Sequence, residues 1–106
     1  MVDNALTLRH TQILLALAES PNHGYAIGKA VELATGGTLL PGSLYRALSQ
    51  LLRRGLIEET GGAVVDPRRR EYRLTAPGRK ALEHELSNLG SLVEQGRRLG
   101  LVPRRS

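Results

Sequence analysis

The 106-residue chain contains no cysteine, phenylalanine or tryptophan, and only three tyrosines. Without cysteine there is no disulfide framework and no thiolate metal site, so the chain needs no oxidising compartment. The apolar residues are instead mostly Leu (20) and Ala (10), a mixture that favours packed helices over a sandwich or barrel. Long apolar runs are also missing. The longest, Ile13 to Ala18, falls far short of the roughly 20 residues a membrane-spanning helix needs, and no cleavable signal precedes it. A soluble, cytoplasmic protein without membrane contact is expected. Catalytic constellations are lacking too. His10, His23 and His84 share no metal-ligand spacing, Asp occurs only at Asp3 and Asp66, and there is no nucleophile motif or phosphate-cradling glycine loop. No enzyme, cofactor or metal is expected.

The length and 41% hydrophobic content fit one domain with one core. Lysine is scarce: only two of the 15 basic residues are lysine, and with 10 acidic residues the formal charge is +5. Between Pro41 and Lys80 nine basic residues stand against four acidic ones, so this stretch carries the entire excess. A localised arginine-rich surface is the electrostatic footprint of a polyanion binder.

Hydrophobic periodicity organises the rest. Residues 1–7 are short, polar-leaning and expected to fray. Ile13, Leu14, Leu17 and Ala18, with Leu15 on the flank, predict a helix over about 8–19, stopped by Ser20-Pro21-Asn22. Ile27, Ala30, Val31 and Ala34 predict a second over about 24–34, ended by Gly36-Gly37. The Thr38-Leu39-Leu40 link, extended or a small strand, leads to Pro41, which suits a helix's first turn. On the third helix, about 42–54, Leu44, Leu48 and Leu51 point one way with Ala47 and Leu52 beside them, while Arg46, Ser49, Gln50 and Arg53 point the other.

Gly55 then stops the chain, and Leu56-Ile57 opens an extended segment through Thr60 and as far as Val64-Val65. Asp66-Pro67 turns it, Arg68, Arg69 and Arg70 follow, and Glu71 to Thr75 returns with Tyr72 and Leu74 on one side. This predicts a β-hairpin with a basic tip. Gly61-Gly62 fits either a bulge, which is favoured, or an earlier turn. Thr75 caps a last helix with Ala76-Pro77 in its first turn. Along it Leu82, Leu86, Leu89 and Val93 form an a/d-like seam of the kind that meets another helix, weakened by Gly90 and Gly96. A loose tail is expected from Leu99.

Three helices, a ribbon and a closing helix form a winged helix-turn-helix plan: mainly α with a β-hairpin wing. Residues 1–75 are expected to be the DNA-binding domain, and residues 76–106 the dimerisation helix and tail. A helix bearing Arg46, Ser49, Gln50 and Arg53 can present donors to base edges while Arg68, Arg69 and Arg70 meet phosphate. The other class open to such a fold is a protein–protein interaction module without specific DNA binding. The basic tip argues against that class, because phosphate binding needs this charge and a protein partner does not. An uncovered leucine seam predicts a homodimer, with Leu14 and Leu15 of the first helix joining Leu82, Leu86, Leu89 and Val93. A dimer would in turn read an inverted repeat in double-stranded DNA.

The ordered set His23-Gly24-Tyr25, Pro41-Gly42-Ser43-Leu44-Tyr45-Arg46-Ala47-Leu48, Arg53-Arg54-Gly55-Leu56-Ile57 and Arg70-Glu71-Tyr72-Arg73-Leu74-Thr75 with Gly78 resembles the PadR-like transcriptional regulators over about 8–86. The resemblance implies a bacterial or archaeal repressor-type dimer of the compact branch, completed by one C-terminal helix. It also implies that Ser43, Tyr45 and Arg46 lie at the DNA face. Tyr45 is placed to bury its ring against the core and offer its hydroxyl to a phosphate. Tyr25 and Tyr72 are expected to pack structurally, and His23 to be a cap or turn residue. Relatives in this family respond to hydrophobic ligands. With no tryptophan for stacking, what stays open here is a small hydrophobic effector in an aliphatic dimer cavity, or no effector.

Overall fold

The computed structural model describes residues 6–60 and 69–103. Helix α1 spans Leu8–Glu19 and is started by a reciprocal capping box. The Thr7 hydroxyl accepts the His10 N–H at 3.0 Å, while the His10 ring Nδ1 accepts the Thr7 N–H at 3.4 Å, satisfying two donors that a helix start otherwise leaves unpaired. Leu6, in the segment expected to fray, is buried in the core. Ile13, Leu14 and Leu17 form the inward stripe, and Leu15 faces out.

A two-residue strand, β1 (Asn22–His23), leads directly into α2 (Gly24–Thr35). Ile27 and Val31 turn inward from α2. At its end the Glu32 carboxylate accepts the Leu39 N–H at 2.8 Å, so of the two expected forms the link to the next helix is the extended one, tied to α2, and not a strand. That bond, reinforced by the Lys29 ammonium 3.5 Å away, holds the Glu32 carboxyl below its ordinary value. Helix α3 (Pro41–Arg53) starts on proline, whose missing N–H costs nothing in a first turn.

The sheet has three antiparallel strands in the order β1-β3-β2, where β2 is Ile57–Thr60 and β3 is Glu71–Leu74. Ile57 pairs with Leu74 and Thr60 with Glu71, while Asn22 pairs with Tyr72 and His23 with Glu71. The expected hairpin is therefore joined by a third strand too short to show alternation in the sequence. Beyond it, the Gly24 N–H donates to the Arg70 carbonyl at 3.3 Å. Tyr72 packs into the core, as its alternation predicted. The Gly61-Gly62 geometry, the Asp66-Pro67 turn and Arg68 lie outside the described residues.

Helix α4 (Ala76–Arg98) is seated by Thr75. The Thr75 hydroxyl accepts the Gly78 N–H at 3.0 Å and donates to the Gly55 carbonyl at 2.7 Å, while the Thr75 N–H donates to the Leu56 carbonyl at 3.2 Å. A side chain at Gly78 would fall on that Leu56 carbonyl oxygen, so α4 can approach the strand only with glycine here. Helix α4 packs on α1 through its first half and runs unbroken through Gly90 and Gly96. Its end is ordered as well, which corrects the expectation of a loose tail for residues 99–102. Gly100 adopts φ +75°, the Leu101 N–H returns to the Gly96 carbonyl at 2.8 Å, and Val102 packs toward Gly96.

The least accessible core side chains are Ile13, Leu14, Ile27, Val31, Leu48, Leu51 and Ile57, drawn from α1, α2, α3 and β2. Two expected dimer residues belong to this interior: Leu14 is 0% exposed and Leu82 4%. Both are consumed by the protomer's own packing. Of the other expected dimer residues and their neighbour Leu92, Leu15 (42%) on α1 and Leu86 (39%), Leu92 (62%) and Val93 (44%) on α4 are exposed, with Leu89 half-buried.

Candidate nucleic-acid interface

Helix α3 divides cleanly by physical environment. Leu44, Ala47, Leu48 and Leu51 are buried on one face, which fixes the rotation of the helix about its axis. Ser43, Arg46, Ser49 and Arg53 are consequently exposed on the other. Among the described residues neither Arg46 nor Arg53 has a hydrogen bond or ion pair with the protein, so both guanidinium groups are available to an external anion. Their rigid platform spares binding the cost of ordering backbone and leaves only that of the side chains.

Tyr45 is half-buried, and its ring lies so close to α2 that a Cβ on Gly24 would stand 2.9 Å from Cε1. The ring is a packing element between the start of α2 and α3, which is why glycine precedes Tyr25. Tyr25 itself turns outward, 54% exposed, with the Lys29 ammonium 5.4 Å from its ring centroid. The expectation that Tyr25 packs structurally is thereby corrected: the ring supplies a surface cation–π contact. His23 is the exposed residue before α2 and makes no side-chain cap bond.

The wing brings charge of both signs. Glu58 pairs with Arg73 at 2.5 Å, Glu59 with Arg70 at 3.4 Å, and Glu71 accepts the Thr60 hydroxyl at 2.7 Å. These contacts spend the strand carboxylates on the sheet itself. Such exposed pairs contribute little stability, yet they neutralise Arg73 and partly neutralise Arg70. Arg69 is exposed and has no ion pair among the described residues. Among the described residues the cations of this stretch left without a partner are thus Arg46 and Arg53 on α3, Arg69 on the wing, and Arg79 and Lys80 at the start of α4.

Gln50 differs from its sequence reading. Instead of standing in solvent it is half-buried, and its Oε1 lies 2.8 Å from His10 Nε2. Thr7, Arg9 and His10 of the α1 start face Ser43, Arg46 and Gln50 across a cleft of about 380 Å³, floored by Leu39, Leu40 and Ala47. Sequence reasoning treated His10 only as an unmatched metal ligand. The one available signal was Thr7 three residues ahead of it, in a capping-box spacing that usually ends in Glu or Gln. Among the described residues no group of acidic, His or Cys side chains is arranged to hold a metal ion, and no helix is long and apolar enough to cross a membrane.

Comparison with known proteins agrees with this geometry. H. salinarum RosR is 33% identical, with a TM-score of 0.72 over 83% of this chain and 77% of that one. A transcriptional regulator from Clostridium thermocellum is 26% identical, with a TM-score of 0.71 over 84% and 89% of the two chains. A PadR-like transcriptional regulator from Bacillus cereus shares the fold at a TM-score of 0.76 and 22% identity, over 91% of this chain and 94% of that one. An uncharacterised 37.1 kDa transposon protein of Streptomyces fradiae is 43% identical over 83 residues, 76% of this chain, which spans only 22% of that relative's length. Residues 13–84 match the transcriptional regulator PadR-like family. With the winged-helix arrangement and its exposed cationic helix, this match establishes that the chain belongs to the PadR-like family of transcriptional regulators, and not to a class of enzymes.

Proposed function

We propose that the chain is a dimeric, sequence-specific repressor that inserts α3 into the major groove of an inverted-repeat operator and lays its wing along the flanking backbone. The observation that carries this reading is the division of α3: a fully packed apolar face holds Ser43, Arg46, Ser49 and Arg53 outward, and the two arginines have no partner among the described residues. An α-helix fits the major groove, and an arginine there matches the paired acceptors of guanine. Tyr45 supports the helix by packing, and Gln50 reaches the same face from the cleft. Arg69 and Arg70, with Arg68 beyond the described residues, supply charge to phosphates, a contribution that depends on salt and not on sequence.

Dimerisation uses the apolar surface left uncovered after folding. Leu86, Leu89 and Val93, joined by Leu92, form a strip on α4 that a two-fold axis buries against its own copy, and Leu15 of α1, beside Ala30 and Ala34 of α2, adds a second apolar contact. Leu14 and Leu82 act one layer deeper, holding α1 and α4 against the protomer core. A signal that changes the angle between the two α3 helices releases the operator in the cytoplasm, where the target DNA lies. An aliphatic cavity between protomers is the site at which a small hydrophobic effector would act.

Titration of purified protein against operator and scrambled duplexes over a salt series tests the assignment. Arg46→Ala should cost about 1–3 kcal/mol on the operator and little on scrambled DNA. Neutralising Arg68, Arg69 and Arg70 together should weaken both duplexes alike and flatten the salt slope by roughly 0.9 per lost phosphate contact. If instead the wing variant alone loses discrimination while Arg46→Ala keeps it, helix and wing have been assigned the wrong way round. A protein that shows no preference for any duplex at low salt returns the fold to the class of protein-binding modules.

A further inference from the structure

We propose that His10 is a positioning residue that fixes which atoms of Gln50 face the DNA, and so sets a base preference of the recognition helix. The inference rests on the reading of α3 as the major-groove helix. It begins with a proton. His10 Nδ1 accepts the Thr7 N–H, so that nitrogen carries no hydrogen, and in the neutral ring the proton sits on Nε2. Nε2 lies 2.8 Å from Gln50 Oε1, and an N–H facing that atom requires the amide oxygen there and not the amide nitrogen. The orientation of the Gln50 amide, free in solvent, is therefore dictated by a hydrogen-bond chain that starts at the backbone of Thr7 and crosses from α1 to α3.

The chain is stiff at every joint. His10 is only 7% exposed, its own N–H is held by the Thr7 hydroxyl, and the Thr11 hydroxyl returns to the Thr7 carbonyl at 3.1 Å. Gln50 stands seven residues, about two helical turns, beyond Ser43, on the stripe that also carries Arg46, and lines the cleft with them. With Oε1 turned toward α1, the group left for the groove is the NH₂. Adenine is recognised by glutamine through paired bonds to N7 and N6, which need the amide oxygen and nitrogen side by side at the base edge. That pairing is closed to Gln50. An outward NH₂ instead suits guanine, with O6 and N7 both acceptors, or thymine O4, whereas adenine offers it N7 alone with the N6 donor set beside it. The α3 helix thus prefers a keto base opposite Gln50.

The experiment enriches bound duplexes from a pool with randomised positions, using the intact chain. The position read by Gln50 is defined as the one whose preference disappears in Gln50→Ala. Wild type should favour guanine or thymine over adenine there by roughly fivefold, the worth of about one net hydrogen bond. His10→Glu keeps an acceptor for the Thr7 N–H but has no donor for Gln50. It should lose that preference or transfer it to adenine, whatever happens to overall affinity. His10→Gln, which offers both an acceptor and a donor, should restore it. That loss and rescue of a base preference is a reading a merely structural role would not move, and nitrogen-15 spectra of the free protein test its first link: the His10 ring should be the Nε2-protonated tautomer.

An Nδ1-protonated ring overturns the proposal, as does a wild-type adenine preference at that position, a Gln50→Ala variant with unchanged preferences, or a His10→Glu variant that keeps the wild-type one. A wild type that enriches no sequence would overturn the DNA-reading assignment itself, while the nitrogen-15 result would still judge the His10 tautomer separately.

Discussion

Replacing Gly78 and Gly90 by alanine in turn should move stability in opposite directions, although both glycines sit in the same helix. Helix propensity alone favours alanine at either position, by at most about 1 kcal/mol. At Gly90 a Cβ meets nothing within 4 Å, so that gain should appear nearly whole, about 0.5–1 kcal/mol. At Gly78 the Cβ lands on the Leu56 carbonyl oxygen, 2.9 Å from its carbon and 2.9 Å from Leu74 Cδ1. Backbone cannot rotate aside as a side-chain tip can, so α4 must withdraw. Withdrawal stretches the bonds from the Thr75 N–H to Leu56 and from the Thr75 hydroxyl to Gly55, each worth about 1 kcal/mol net. Overpacking adds about 1–3 kcal/mol. These costs exceed the propensity gain and leave a net loss of about 2–4 kcal/mol. Urea denaturation followed by circular dichroism should show the Gly78→Ala midpoint falling by about 1–3 M and the Gly90→Ala midpoint rising by a few tenths. Equal shifts, or a stabilised Gly78→Ala, would refute the argument that a backbone contact and not helix propensity governs the start of α4.

Sedimentation should separate the two layers of the apolar strip: Leu86→Asp with Val93→Asp should yield a folded monomer, whereas Leu82→Ala should keep the dimer contacts and lose about 2–5 kcal/mol of stability. A double variant that stays dimeric would show that α4 is not the contact. Burial, followed by the nearby Glu59 carboxylate, pushes the Tyr72 phenol above its ordinary 10.0, against a smaller opposing pull from Arg70. Tyr72 ionises less readily folded than unfolded, so its stabilisation is whole below about pH 10 and is lost as pH rises through the raised value. Urea midpoints between pH 8 and 11 should therefore fall less steeply in Tyr72→Phe, and parallel curves would contradict this. Glu32 is displaced the other way, chiefly by the Leu39 N–H. Its contribution should be present above its ordinary 4.5 and disappear as pH falls through the lowered value. Glu32→Ala should flatten that acid limb, and an unchanged limb would show that the tied α2–α3 link adds nothing to stability.

What the sequence determined by itself is everything set by neighbours along the chain. The leucine spacing from Leu44 to Leu51 located α3 and its outward arginines because a helix repeats every 3.6 residues whatever surrounds it. Thr75 and Pro77 marked the start of α4, since capping involves groups within one turn, and the order of the family motifs was legible for the same reason. Only the tertiary structure decided which apolar residues were spent inside. Leu14 and Leu15 are adjacent in sequence, and nothing short of the packed α1, α2 and α4 makes one core and the other surface. β1 is two residues long and exists because β3 is there to pair with it. Gly78 is indispensable only because Leu56, more than 20 residues earlier, places a carbonyl against it. Gln50 looked like any exposed amide on a helical wheel until His10, forty residues away, reached its oxygen. Periodicity reports which side of an element faces inward; the partner met there, and the atoms it occupies, depend on where other elements come to rest.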